Sequence, residues 1–385
     1  MDEMTLGKCC EFINGKAFKP AEWTKDGLPI VRIQNLNDEN ATFNYYNKDI
    51  EKKYIIEDGQ LLFSWSGTPG TSFGAFFWKR GKAVLNQHIF KIIPKIKINE
   101  RYLRYALNGN INVIISKSHG GVGLQHITKK ELEKITINVP EIEKQEKIVN
   151  ILENLEENIR KRKKQIIFLN DLIKSQFVEM FGNPISNDRK MNYMEMPTVC
   201  EIIDGDRGKN YPKAEEFFEK EYCLFLNAKN VTNNGFSFGN CMYITKEKDN
   251  KLRNGKLKRG DVVLTTRGTV GNLAFYTEEI PFENVRINSG MVILRMKKDI
   301  VNEIFFIEQF KMQLDNIKNK IANGSAQPQL PITKMNGIKV LIPPIELQNQ
   351  FAEIVKQIDK QKFEIEKSLK ETEELYKTLM AKYFE

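Results

Sequence analysis

Two short segments of the chain carry hydroxyl and basic side chains beside glycines. Residues 64–70 read Ser-Trp-Ser-Gly-Thr-Pro-Gly, and residues 265–271 read Thr-Thr-Arg-Gly-Thr-Val-Gly. Glycine allows a backbone to approach a phosphate closely, and Ser, Thr and Arg donate hydrogen bonds to phosphates and base edges. Both segments therefore predict nucleic-acid contact, and a purely structural hairpin turn is the alternative. The candidate residues here are Trp65, Ser66, Thr68, Thr266, Arg267 and Thr269.

Arg267 is the sharpest candidate, because a guanidinium matches the two acceptors on the major-groove edge of guanine. The matching position of the earlier segment is Ser66, so an equivalent guanine contact is in doubt there. Two domains that read different sequences are expected to differ at their contact positions.

Further candidates are amide and basic residues near turns. Residues 32–36 and 226–231 place amides after an apolar run, and polar loops at 118–125 and 323–329 supply glutamines. Asn and Gln suit adenine, and ordinary turn capping by Asn is the alternative. Asn-Gly-Lys at 14–16 and Asp-Arg-Gly-Lys at 206–209 predict loops that position phosphates, and solvation of exposed Lys is the alternative. These candidates are Lys16, Arg32, Gln34, Asn35, Gln125, Arg207, Lys209, Asn227, Lys229, Asn230, Gln327 and Gln329.

Motifs for catalysis or metal binding are missing from the sequence. It contains no Asn-Pro-Pro-Tyr for a flipped adenine, no Gly-x-x-x-x-Gly-Lys-Ser/Thr for ATP, and neither His-Glu-x-x-His nor Cys-x-x-Cys. We therefore expect a non-catalytic chain with no metal, reduced cysteines and no cofactor of its own. A net charge of +9 permits a polyanionic partner. No run of 18 apolar residues and no secretory signal is present, so we expect a cytoplasmic protein without membrane association.

The chain repeats itself. Residues 58–68 return as 259–269, residues 139–145 return as 342–348, and residues 177–181 return as 380–384. Three anchors in the same order indicate two copies of one structural unit, which suits a target in two parts.

Each copy ends in a long segment with a 3.5-residue apolar period, which is typical of a coiled-coil seam. At ~1.5 Å per residue each helix would measure on the order of 60 Å. We expect the two helices to pair in antiparallel fashion, with Arg162, Gln176, Lys362 and Thr372 interrupting the seam; two unrelated amphipathic helices are the alternative. The predicted packing residues are Ile148, Leu152, Leu155, Ile159, Ile166, Leu169, Ile173, Val355, Ile358, Ile365, Leu369, Tyr376 and Leu379.

The predicted fold class is α+β, because short apolar runs bounded by turn residues alternate with helical patterns. The expected boundaries are 1–140 and 184–343 for the two globular domains, and 141–183 and 344–385 for the helices. Surplus positive charge lies only in the globular parts, as expected if those parts touch phosphates and the helices touch protein. The basic run at 160–164 is interpreted as a solvated helix face, because acidic residues precede it by one turn.

The duplicated order resembles the specificity subunit of type I restriction-modification systems over essentially the whole chain. The resemblance rests on Gly-Asp-Val-Val-Leu-Thr-Thr-Arg-Gly-Thr at 260–269 and on Pro-Pro-Ile-Glu-Leu-Gln-Asn-Gln-Phe at 343–351. It implies two target-recognition domains that each read half of a bipartite site in double-stranded DNA. It also implies helices that set the spacing and bind two modification subunits, which would hold S-adenosylmethionine and methylate adenine at N6, with restriction subunits joining the complex.

Two other classes of function are compatible with the residues. One is a coiled-coil interaction protein whose basic domains bind DNA without sequence preference. The other is an enzyme that acts alone, for example a nuclease with an unrecognised metal site.

Overall fold

The computed structural model describes residues 2–68, 71–121, 124–321 and 329–384. The chain divides into two compact units. Unit 1 combines Met1–Lys163 with Lys367–Glu385, and unit 2 is Lys164–Glu366. Two long helices, Ile142–Phe181 and Ile345–Phe384, each contribute a segment to both units.

Unit 1 is built from short strands and five short helices before the first long helix. Its strands are β1 (Asp2–Thr5), β2 (Cys10–Asn14), β3 (Leu28–Val31), β4 (Asn44–Tyr46), β5 (Ile55–Ile56), β6 (Leu61–Ser64), β7 (Ser66–Gly67), β8 (Gly74–Phe77), β9 (Ala83–Leu85), β10 (Ile89–Pro94), β11 (His119–Gly121), β12 (Leu124–His126) and β13 (Thr136–Val139). Its helices are α1 (Leu6–Cys9), α2 (Ile33–Asn37), α3 (Glu100–Gly109), α4 (Ile111–Ser116), α5 (Lys129–Glu133) and the start of α6 (Ile142–Phe181), with single 3₁₀ turns at Pro20–Glu22 and Lys52–Tyr54.

The main sheet of unit 1 is antiparallel, in the order β2-β10-β6-β8. A second sheet, in the order β4-β3-β9-β5, contains one parallel pair, β3 with β9. Two smaller sheets pair β1 with β13 and arrange β11-β12-β7. Every residue of β6 is buried, as expected for an inner strand covered on both faces.

Unit 2 repeats this plan. Its strands are β14 (Tyr193–Glu195), β15 (Cys200–Asp204), β16 (Cys223–Leu226), β17 (Val231–Thr232), β18 (Gly235–Phe236), β19 (Tyr243–Ile244), β20 (Val262–Thr265), β21 (Leu273–Phe275), β22 (Val285–Ile287), β23 (Met291–Met296) and β24 (Lys339–Leu341). Its helices are α7 (Met196–Val199), α8 (Lys246–Lys251), α9 (Glu303–Ile321), α10 (Ile332–Met335) and the start of α11 (Ile345–Phe384), with 3₁₀ turns at Ala214–Glu216 and Ala228–Asn230.

The strand orders of the two units correspond. The main sheet of unit 2 is antiparallel in the order β15-β23-β20-β21, and its second sheet, β19-β16-β22, again contains one parallel pair. The α+β fold class and the internal repeat predicted from the sequence are therefore confirmed.

Single hydrogen bonds repeat as well as strands. The buried side chain of Gln145 near the start of α6 accepts from the backbone N–H of Asn99 at 2.9 Å. Gln348 near the start of α11 accepts from Asn302 in the same way, also at 2.9 Å. Each glutamine thus ties the first turns of a long helix to the globular part of its own unit, because a buried amide must find partners there.

The helix segments within unit 1 run antiparallel. The hydroxyl of Tyr376 donates to Glu156 at 2.9 Å, and Arg162 contacts Ser368 and Thr372. Increasing numbers on α6 therefore meet decreasing numbers on α11. Arg162 and Thr372, two of the polar seam residues, are hydrogen-bonded to each other, and a paired polar contact of this kind favours one register.

Aromatic rings join the helix segments within unit 2. Phe177 lies 5.4 Å from Phe351 and 5.3 Å from Phe305, measured between ring centroids. All three are fully buried. The seam side chains predicted from the period are buried or half-buried in both units. Among the described residues, no helix is long and apolar enough to span a membrane.

Candidate nucleic-acid interface

The contact loop of unit 2 follows β20. Arg267 is exposed and lies opposite Gln329 in an isolated antiparallel bridge. The preceding Thr266 is buried, and its hydroxyl donates to the carbonyl of Gly290 at 3.0 Å. The loop therefore holds Thr266 inward and presents the exposed Arg267 and Gln329 side by side.

The contact loop of unit 1 follows β6. Ser66 is buried opposite His126, and the half-buried Trp65 lies over Phe90 with ring centroids 5.5 Å apart. The indole N–H of Trp65 donates to the side chain of Asn14 at 3.2 Å. The loop of unit 1 thus carries an indole and a buried serine, whereas the loop of unit 2 carries a buried threonine and an exposed arginine.

The two loops share one backbone frame, which gives the residue correspondence. In each loop one residue donates its N–H to a turn carbonyl, and its own carbonyl accepts from a backbone N–H much further along the chain. These bonds are Trp65 to His88 and Ile127 to Trp65 in unit 1, and Thr266 to Gly290 and Leu330 to Thr266 in unit 2. Gln329 therefore corresponds to His126, and Gln125 lies one residue earlier in the strand.

Asn35 and Asn230 are buried at matching turns. Asn35 accepts from the backbone of Arg32 at 3.0 Å, and Asn230 accepts from that of Asn227 at 2.9 Å. Each amide also donates to two loop carbonyls. Both residues cap turns, because their side-chain amides bond to backbone groups of the protein. We leave them out of the proposed contact set.

The residues around these turns are more open. Gln34 and Lys229 are exposed, while the guanidinium of Arg32 lies 5.4 Å from the Trp23 ring. The side chain of Asn227 accepts from the backbone N–H of Lys229 at 2.9 Å. Gln34 and Lys229 are thus accessible from solvent, whereas Arg32 and Asn227 have partners within the protein.

The basic candidates before the second sheet differ between the units. Lys16 donates to the Tyr46 hydroxyl at 2.8 Å and lies 4.0 Å from Glu22, and the hydrogen bond to Tyr46 raises the pKa of its ammonium group. Arg207 is exposed and pairs with Asp204 at 3.0 Å, and Lys209 is exposed. Unit 2 therefore offers the more accessible positive charge here.

Asp206 shapes the loop that carries Arg207 and Lys209. Its buried carboxylate accepts from the backbone N–H groups of Gly208 and Arg253, both at 2.7 Å. Burial raises the pKa of Asp206, but these hydrogen bonds outweigh the burial and the pKa is lowered. The ionised Asp206 thereby fixes the loop conformation.

The remaining candidates lie on loop edges. Thr68 and Thr269 are exposed. The side-chain oxygen of Gln125 accepts from the Ser118 hydroxyl at 2.9 Å. Gln327 lies outside the described residues. Within the described parts of the chain, no group of three or more His, Cys, Asp or Glu is arranged to hold a metal ion.

Asp204 is a site residue that the sequence reasoning missed. It ends β15 opposite Val292, as Asn14 ends β2 opposite Phe90. Aligning residues 12–15 with 202–205, Phe-Ile-Asn-Gly with Ile-Ile-Asp-Gly, is the signal that could have found it. The carboxylate places an acceptor among the arginines of unit 2.

Comparisons with known proteins agree with the repeat. The family described as "Type I restriction modification DNA specificity domain" matches residues 1–168 and again 189–375. The chain is 27% identical to the type I restriction enzyme MjaVIII specificity subunit of Methanocaldococcus jannaschii, over 95% of this chain and 89% of that protein. It is 22% identical to the EcoBI specificity subunit of Escherichia coli, over 99% of this chain and 85% of that protein.

A solved structure shares the fold. The S subunit of a type I restriction-modification system from M. genitalium aligns with a TM-score of 0.63 and 16% identity, over 100% of this chain and 96% of that one. A second structure, described as addressing complex assembly and conformational transition of the type I system, aligns with a TM-score of 0.58. With the family matched in both repeats, the chain belongs to the type I restriction-modification DNA specificity family.

Proposed function

We propose that this chain is the specificity subunit that selects the sequence modified by a type I complex, with each unit reading one half of a bipartite site. The observation that carries the proposal is one loop frame used twice with different side chains. Trp65 and Ser66 occupy the frame in unit 1, and Thr266 and Arg267 occupy it in unit 2. A shared frame with different contact residues suits two similar readers of different half-sites.

The chain itself supplies recognition and no chemistry in this proposal. Two modification subunits bind S-adenosylmethionine and methylate adenine, and restriction subunits join the complex in the cytoplasm. The globular domains extend over 1–140 and 184–343, and the helices over 141–183 and 344–385 hold the modification subunits and set the spacing between half-sites. A change in helix length should then alter the spacer and leave the half-sites unchanged.

Uncovered apolar side chains support a protein partner on the long helices. Phe168 on α6 is 65% exposed and Phe363 on α11 is 63% exposed. Phe168 has Ile167 and Leu172 as exposed apolar neighbours on the same helix, and a group of exposed apolar side chains is typical of an interaction site. We propose that modification subunits cover them.

Changing Phe168 to Ser should reduce co-purification of modification subunits, because less apolar surface would be buried when they bind this chain. The stability of the free chain should change little, since the side chain is already exposed. Lys360→Ser on α11, also at an exposed position, is the control. Undiminished co-purification of the Phe168 variant would remove this residue from the interface.

Methylation mapping tests the main proposal. DNA from cells with the modification genes should carry methyladenine at one split sequence, and deletion of this gene should abolish that pattern. Binding to the site should weaken steeply with salt, because phosphate contacts release counterions. An unchanged methylation pattern would refute the proposal, and equal affinity for every duplex would point to sequence-independent binding.

A further inference from the structure

Unit 2 contains a cavity of about 200 Å³ beside its contact loop. Three charged side chains line it, together with an amide and an apolar wall. The lining residues that matter are Asp204, Arg207, Arg267, Thr266, Gln329 and Val292. Arg207 is fixed by its ion pair with Asp204 at 3.0 Å and by a hydrogen bond to the carbonyl of Ser289 at 3.3 Å.

In unit 1 the ring of Trp65 occupies the corresponding place. The ring stacks on Phe90, donates to Asn14, and lies 6.5 Å from the ring of His126. Strand register and the shared loop bonds match these neighbours one by one with cavity-lining residues: Asn14 with Asp204, Phe90 with Val292, and His126 with Gln329. The cavity therefore exists because Thr266 stands where unit 1 has an indole.

We infer that this cavity is the specificity pocket of unit 2 and receives the major-groove edge of a G·C base pair; the inference rests on the proposed function. Guanine presents two adjacent acceptors, which match the fork of the exposed Arg267. Cytosine presents an amino donor, which matches the carboxylate of Asp204. The hydroxyl of Thr266 is already bonded to Gly290, so the threonine contributes space and not a base contact.

A phosphate group is a poorer occupant. Arg207 and Asp204 line the same cavity and form an ion pair with each other, so the positive charge of Arg207 is offset. An anion beside Arg267 would therefore also meet the carboxylate of Asp204, which repels it, whereas cytosine offers that carboxylate a donor. An A·T pair is also a poorer match, because its major-groove edge places a donor between two acceptors, whereas guanine offers two neighbouring acceptors to one guanidinium.

Filling the cavity tests the inference. The full chain in complex with its modification subunits would be titrated with duplexes that carry single base-pair changes across both half-sites. Thr266→Trp should lower the preference for a G·C pair at one half-site by roughly ten-fold or more and leave the other half-site unchanged. Thr266→Val keeps the volume of the side chain and should retain the preference.

Arg267→Ala provides a second route, because Arg267 is exposed and its loss does not disturb a core. It should lower the preference for a G·C pair at the same position as Thr266→Trp does. Hydrogen exchange over residues 164–366 would show whether each variant remains folded. The pocket is refuted if Arg267→Ala leaves the preference intact, or if it weakens binding equally to every duplex, which is the signature of a phosphate contact.

The two levels of the proposal fail separately. If the unchanged complex shows no sequence preference at all, the proposed function fails. If it prefers a bipartite sequence, but Arg267→Ala changes the preference at no G·C pair, only the inference of a specificity pocket is refuted.

Discussion

Replacing Phe384 with alanine should destabilise unit 1 by about 3–5 kcal/mol, the range for removing a buried aromatic side chain. Phe384 lies in the core of unit 1, with its ring centroid 5.3 Å from that of Tyr102. Its counterpart in the first copy of the repeated segment, Phe181, is buried in the core of unit 2. Peptide-resolved hydrogen exchange would measure the loss.

The expected result is selective. Amides of residues 1–163 should lose protection in Phe384→Ala, and those of 184–343 should keep it, whereas Phe181→Ala should do the reverse. Lys382→Ala, an exposed position within the same turn, should change neither. Equal loss in both units would contradict the assignment of the C-terminal segment to unit 1.

Replacing Asp249 with alanine should destabilise unit 2 by about 3–5 kcal/mol, because it leaves the guanidinium of Arg286 buried without its carboxylate. Asp249 is 1% exposed and Arg286 is 5% exposed, and the two form an ion pair. Lys256 also donates to Asp249, at 2.6 Å. Urea unfolding of the variant would give the change in free energy.

A double replacement is the matched control. Unit 1 has Val84 at the position of Arg286, as shown by its parallel strand pair. Asp249→Leu with Arg286→Val should therefore cost less than Asp249→Ala alone, because an apolar pair leaves no buried charge. A double variant that is less stable than the single one would show that the ion pair itself is net stabilising.

The same ion pair makes the stability of unit 2 depend on pH. Burial raises the pKa of Asp249, but hydrogen bonds from Lys256 and Arg286 outweigh the burial, and the pKa is lowered in the folded protein. Its contribution is therefore complete above the unfolded pKa of about 3.9 and is lost as pH falls through the lower folded value. Asp249→Ala should remove this part of the acid sensitivity in urea unfolding at a series of pH values.

The repeat and its two helices could be predicted because they rest on local patterns. A 3.5-residue apolar period does not depend on the loop sequences. Gln145 and Gln348 also occupy matching positions near the predicted starts of the two helices. The short strands were recognisable as apolar runs between turn residues. These features depend on spacing along the chain, which a sequence displays directly.

The contact residues were harder to predict because direction matters more than type. Asn35 has the right chemistry for adenine, but its side chain points into a turn. Asp204 has a visible counterpart in the repeat, Asn14, but its place in the site becomes clear only from its pairing with Val292. The cavity of unit 2 arises because Thr266 replaces the larger Trp65 of unit 1. The two residues are recognised as equivalent only from the matching backbone hydrogen bonds of their loops.

The placement of the C-terminal segment in unit 1 has a consequence for synthesis. A ribosome releases residues 164–366, all of unit 2, before it releases residues 367–385, which unit 1 needs for its core. Domains generally fold as units once their residues are available. Unit 1 is therefore completed after unit 2, although most of its residues are synthesised earlier. A nascent chain that stops short of Phe384 contains all residues of unit 2 and lacks part of the core of unit 1.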